Sequence, residues 1–169
     1  MNPSPLSSGT ARPELKISLR PATPEDQKFL QTLYASTRQE EMSLVNWSAA
    51  QKEAFLLMQF SARQRSYESS FPGAAHRIIL VEGALAGAMI VSRNSEEIRL
   101  VDISLLPERR NQGIGSRLIG ELIAESVQGG LPLRLSVLQG NRAARLYERL
   151  GFAKSGEDGM YAQMERKPA

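Results

Sequence analysis

Apolar and polar residues alternate from Leu15 to Leu19, the two-residue period of a strand. Thr23-Pro24-Glu25-Asp26 then reads as a helix start: Thr23 caps, Pro24 fits the first turn, and two acids face the helix dipole. That helix is expected to reach about Thr37, with a loop from Gln39 to Trp47 behind it. Ser48-x-x-Gln51 makes a capping box, and Ala50, Ala54, Leu57 and Met58 recur at helical spacing, which predicts a second helix to about Tyr67 with these four on its apolar face. After Pro72-Gly73 the period becomes extended. Arg77–Val81 and Ala84–Val91 flank Glu82-Gly83 as a hairpin, and a third strand runs from Glu97 to Leu106. The rest alternates: a helix from Gly113 to Val127, a strand Leu133–Val137, a helix Arg142–Leu150 and a last strand near Tyr161–Glu165. Strand runs followed by a strand–helix–strand unit predict an α/β fold with a mixed sheet and helices on both faces.

At 169 residues the chain is the size of one domain. Residues 1–13, rich in Ser, Pro and Gly, read as a flexible tail, and 14–169 as a single domain without internal repeat. The absence of cysteine excludes disulfides, thiolate metal sites and a cysteine nucleophile, and a single histidine, His76, excludes a His-rich metal site. No metal is expected. Apolar runs such as Ile78–Val81 are far shorter than the ~18 residues of a membrane span. With no secretory signal either, a cytoplasmic location is expected. The net charge is only +3, yet sixteen of the twenty-one bases are arginine, which suits phosphate and carboxylate ligands. The arginines are scattered without an aromatic-interleaved stripe, so no nucleic-acid partner is expected.

The most informative stretch is Leu105-Leu106-Pro107-Glu108-Arg109-Arg110-Asn111-Gln112-Gly113-Ile114-Gly115. A strand ends, a glycine-bearing loop follows and a helix begins, so unpaired backbone N–H groups and the positive end of a helix dipole converge as an anion site. Gly115, Leu118, Ile119, Leu122 and Ile123 keep that helix docked on the sheet. A Rossmann fingerprint needs a third glycine where Leu118 stands, and a P-loop needs Gly-Lys-Ser/Thr, which is absent. The alternative is that Gly113 and Gly115 merely shape a turn.

These residues resemble a known family. Arg110-x-x-Gly113-x-Gly115, approached through Leu105-Leu106-Pro107-Glu108-x-Arg110, is similar to the acyl-CoA signature of the GCN5-related N-acetyltransferases, the GNAT superfamily. Asn141-Arg142-Ala143-Ala144-Arg145-Leu146-Tyr147-Glu148-Arg149-Leu150-Gly151-Phe152 resembles that family's second signature. The resemblance spans about Glu97 to Phe152 and implies the acyl-CoA N-acyltransferase fold: a central mixed, mostly antiparallel sheet flanked by about four helices.

It further implies acetyl-CoA as co-substrate and an amine acceptor, with direct transfer between them. The pyrophosphate would lie on the backbone of Asn111, Gln112, Gly113, Ile114 and Gly115, with Ser116 adjoining and Arg110 flanking. The pantetheine arm would pair with Ile103, Ser104 and Leu105, and a backbone N–H near Leu105 would polarise the acetyl oxygen. Asn141 would contact CoA as well as cap its helix. Tyr147 would protonate the departing thiolate, or serve only as core beside Ala143, Leu146 and Leu150.

Glu97 and Asp102 are the candidate bases; five residues apart, they face opposite sides of a regular strand unless a bulge intervenes. Either is otherwise an ion pair with a neighbouring arginine. Glu40, Glu41 and Trp47 form either an acidic, aromatic-walled amine pocket or a solvated pair beside a packing tryptophan. The competing classes are a non-catalytic acyl-CoA-binding regulatory module and a basic nucleic-acid binder. The acceptor stays open, as does the choice between monomer and homodimer.

Overall fold

The computed structural model describes residues 13–169, so the expected tail lies, apart from Pro13, outside the described residues. β1 (Ile17–Pro21) leads through a 3-10 turn over Pro24–Asp26 into α1 (Gln27–Thr37). The buried Asp26 carboxylate accepts the Thr23 N–H at 2.8 Å and two Arg20 N–H groups at 2.8 Å each, so one acid ties strand to helix. The segment expected as a loop holds a short helix, α2 (Gln39–Ser43). Its residues are good helix formers, and Arg38 Nη1 grips both Glu41 oxygens at 2.9 and 3.0 Å one turn on.

α3 (Ala49–Ser70) starts at the expected box: Ser48 Oγ accepts the Gln51 N–H at 3.2 Å, and Gln51 Oε1 accepts the Ser48 N–H at 2.9 Å. Its inner face is not the expected one. Ala50, Ala54, Leu57 and Met58 are not the residues it buries, while Leu56 and Phe60 pack against the sheet and Arg63 and Tyr67 continue that row. The inward row is polar along half its length because it borders a cleft rather than core.

β2 (Ala75–Val81) and β3 (Ala84–Arg93) are joined through Glu82 and Gly83, whose φ values of +50° and +79° suit a twisted hairpin. Then come β4 (Ile98–Leu105), a 3-10 turn over Pro107–Arg109, α4 (Ile114–Gly129), β5 (Leu133–Leu138) and α5 (Ala143–Arg149). β6 (Ala153–Asp158) and β7 (Tyr161–Arg166) finish the chain. β6 escaped the sequence reading because every residue in it is exposed, which erases the alternation that marks a half-buried strand.

The sheet order is β1-β2-β3-β4-β5-β7-β6, antiparallel throughout except for the parallel β4–β5 pair. This is the expected mixed, mostly antiparallel sheet, with a core on each face. α4 and α5 cover one through Ile114, Leu118, Ile119, Leu122 and Tyr147; α1 and α3 cover the other through Leu30, Leu33, Tyr34 and Phe60. No helix among the described residues is long and apolar enough to cross a membrane.

Two irregularities at β4 prepare the site. Ile90 faces Asp102 while Val91 faces Leu100, so Val101 is an extra residue, a bulge. Leu100, Ile103 and Leu105 therefore all pack toward the α4 side, while Asp102 and Ser104 turn to the α1–α3 side. Next, β4 pairs with β5 only over Ile98–Leu100 against Leu133–Leu135, so Val101 to Leu105 run on without that neighbour and the sheet opens.

Candidate active site

The opening between β4 and β5 is a cleft of about 350 Å³. Asp102, Ile103 and Ser104 line it from β4, Asn141 and Tyr147 from the α5 region, and Tyr34, Arg63 and Tyr67 from the first helices. Leu105, at the end of β4, accepts the Arg110 Nε–H on its carbonyl at 3.0 Å. This bond turns the chain back under the strand and presents the following loop.

That loop is built to leave donors free. Asn111 and Gly113 are both left-handed, with φ of +59° and +79°, and Gly113 caps α4 without any side-chain acceptor. The N–H groups of Asn111, Gln112, Gly113, Ile114, Gly115 and Ser116 find no acceptor among the described residues; the first α4 bond from this region runs from Arg117 N–H to the Gly113 carbonyl. A run of unpaired N–H groups at a helix start is an anion cradle. A Cβ on Gly113 or Gly115 would meet no protein atom within 4 Å, so the space above them is open.

Asn141 Oδ1 accepts the Ala143 N–H at 2.9 Å, capping α5 while its side chain borders the cleft. Tyr147, one turn beyond Ala143, is buried with its ring edge-to-face with Phe152 at 5.8 Å. Burial, with a smaller contribution from the Asp102 charge, pushes its phenol up to about 12.

The two candidate bases lie in different surroundings. Glu97 sits just before β4 and is held by Arg99 at 2.8 Å and Arg134 at 2.9 Å; Arg134 also takes Glu165 at 2.6 Å. Burial resists its ionisation, but the hydrogen bonds from Arg99 and Arg134 outweigh that and hold its pKa below the ordinary value. Glu97 does not line the cleft. Asp102 does, and burial pushes its carboxyl up against the pull of Arg63 and a long 3.4 Å bond from Ser104 Oγ. His76 shares a row across the sheet with Ile90 and Asp102, half-buried, with burial pushing its imidazole down.

The three residues Glu40, Glu41 and Trp47 are not brought together. Trp47 packs edge-on against Phe55 at 5.1 Å, and Glu41 is engaged by Arg38. The sequence reading missed Tyr34, Arg63 and Tyr67. The available signal was the i,i+4 pairing of Arg63 with Tyr67, on the same helix face as Phe60.

Residues 73–154 match the family model described as the acetyltransferase (GNAT) domain. Among solved structures, the fold is similar to the PaiA N-acetyltransferase of Thermoplasma acidophilum, solved in complex with coenzyme A, at 21% identity and TM-score 0.67 over 90% of this chain and 99% of that one. An acetyltransferase from Thermus thermophilus gives 15% identity and TM-score 0.65, over 90% and 97% of the two chains. The ribosomal-protein-S18-alanine N-acetyltransferase of Escherichia coli gives 20% and 0.59, over 91% and 95%. No curated protein matches the chain. Residues 73–154, which hold both the glycine-bearing loop and the second signature, thus match a GNAT acetyltransferase domain, and the fold around them is similar to that of solved N-acetyltransferases.

Proposed function

We propose that residues 14–169 form a single catalytic domain that moves an acetyl group from acetyl-CoA directly to a primary amine. The observation that carries this reading is the adjacency of the β4–β5 opening to the unpaired N–H groups of Asn111 to Ser116. An extended pantetheine arm can add beside Ile103, Ser104 and Leu105 while its pyrophosphate meets the cradle, with Arg110 alongside and Asn141 on the far wall. The coenzyme A in the Thermoplasma neighbour's structure supports acetyl-CoA as the co-substrate.

In this mechanism the Asp102 carboxylate takes the proton of the incoming amine, which attacks the thioester carbonyl. The backbone N–H near Leu105 stabilises the developing oxyanion, an effect worth ~2.7–4 kcal/mol in comparable sites. As the tetrahedral intermediate collapses, the C–S bond breaks and Tyr147, still protonated at neutral pH, gives its proton to the thiolate. Glu97 is left out of the chemistry and braces β4 to β5 and β7 through Arg134.

The test is release of free thiol from acetyl-CoA in the presence of a broad amine panel. Amine-dependent release supports the reading. Acetyl-CoA binding with no release for any amine would favour a regulatory acyl-CoA-binding module instead.

A further inference from the structure

Two arginines enter the cleft, and they differ in how their donors are used. Arg38 is satisfied: Nη1 bonds both Glu41 oxygens, Nε bonds the Tyr34 hydroxyl at 3.2 Å, and Nη2 bonds Gln59 Oε1 at 3.2 Å. Arg63 makes no hydrogen bond to any of the described residues. Its guanidinium lies over the Tyr34 ring at 4.6 Å and the Tyr67 ring at 5.4 Å, and its one ion pair among the described residues is with Asp102 at 3.6 Å. Its Nε is buried with no partner. With Nε shut in, a ligand entering the cleft meets the two Nη groups, which make no hydrogen bond to the described residues and are free to take an acceptor. Two aromatic faces hold the planar fork in place, which lowers the ordering cost of binding a carboxylate through two parallel bonds.

We infer that Arg63 anchors a carboxylate of the acceptor, and that the acceptor is a small amino acid whose free α-amine lies against Asp102. The inference rests on the N-acetyltransferase reading above. An α-amino acid carries its ammonium and its carboxylate on one carbon, and the loose Arg63–Asp102 pair presents the two opposite charges side by side. The cleft of about 350 Å³ must also receive the acetyl end of the donor, which leaves space for a compact molecule. The cradle for the donor's phosphates lies on another element, the loop before α4, so Arg63 is not needed there. A peptide N-terminus has an amide where the amino acid has its carboxylate, and would leave the Arg63 donors unpaired.

The experiment offers acetyl-CoA with each standard L-amino acid, with the matching carboxamide, and with carboxylate-free amines. The native protein is expected to acetylate at least one amino acid with kcat/KM about tenfold to a hundredfold above that of its amide. Arg63→Gln and Arg63→Lys are expected to bring that acid-to-amide ratio close to one. If Arg63 only shapes the wall or tunes Asp102, acids and amides fall together and the ratio is unchanged, which overturns the anchor. Amides or carboxylate-free amines used as well as amino acids also overturn it, while leaving acetyl transfer to amines intact. Acetyl-CoA bound but no amine consumed overturns both readings.

Discussion

Asp102 on β4 and Tyr147 on α5 line one cleft, and the Asp102 charge adds to burial in pushing the Tyr147 phenol up to about 12. Burial raises both groups, and at about 12 the phenol stands far above neutral pH. The phenol keeps its proton there. In the proposed mechanism that proton goes to the leaving thiolate.

Tyr147→Phe is therefore expected to lower kcat about a hundredfold, the lower range for general-acid catalysis. The ring contact with Phe152 needs no hydroxyl, so acetyl-CoA affinity should change little. Steady-state kinetics beside a calorimetric titration separates the two. An unchanged kcat removes the acid role.

Asp102 links activity and stability with opposite signs. Burial raises its folded pKa above the ordinary 3.8, so ionising it in the folded protein costs stability that is lost as pH rises from that value through the folded one. Asp102→Asn is expected to be at least as stable as the native protein at neutral pH, by thermal melting, yet markedly slower. The native kcat/KM is expected to rise with pH as Asp102 ionises, and the variant to lose that limb.

Gly87→Ala probes the β3–β4 seam beside the cleft. A Cβ there would stand 2.2 Å from the Ser104 carbonyl oxygen, a backbone atom that cannot swing aside. The strand pair must separate, at an expected cost of about 1–3 kcal/mol in urea unfolding. Because Ser104 and Leu105 move with it, acetyl transfer should fall as well.

Asp26 sets an acid limit. Arg20, with the Thr23 N–H, holds its carboxyl well below the ordinary 3.8, so its stabilisation is present above that value and fades as pH falls. Asp26→Asn should melt at a lower temperature than the native protein at neutral pH. The gap should close in acid, which melting curves across pH can follow.

The free helix start before α4 and the Asn141 turn before α5 were legible because each uses residue types whose chemistry is local. A left-handed glycine, a free helix start and a capping asparagine act within a few positions of chain. The Val101 bulge was foreseeable only as a condition on whether Glu97 and Asp102 share a face, since a register shift depends on the partner strand. Arg63 was not legible. α3 displays Leu57 and Met58 to solvent while turning Arg63 and Tyr67 inward, and an apolar stripe is a reliable guide only where a helix covers core. β6 was lost for the same reason in reverse, being a strand with nothing to bury.

Titrating acetyl-CoA into the native protein and into Gly115→Leu by calorimetry tests whether the loop before α4 holds the phosphates of the donor. A Cβ at position 115 meets no protein atom within 4 Å, so the variant should stay folded, as its circular dichroism and melting temperature would show, while its side chain occupies the space above the cradle. Saturable one-to-one binding by the native protein, abolished in the folded variant, is the expected result. Binding of equal strength in both, or none in the native protein at millimolar ligand, would contradict the assignment of Asn111 to Ser116 as the phosphate site.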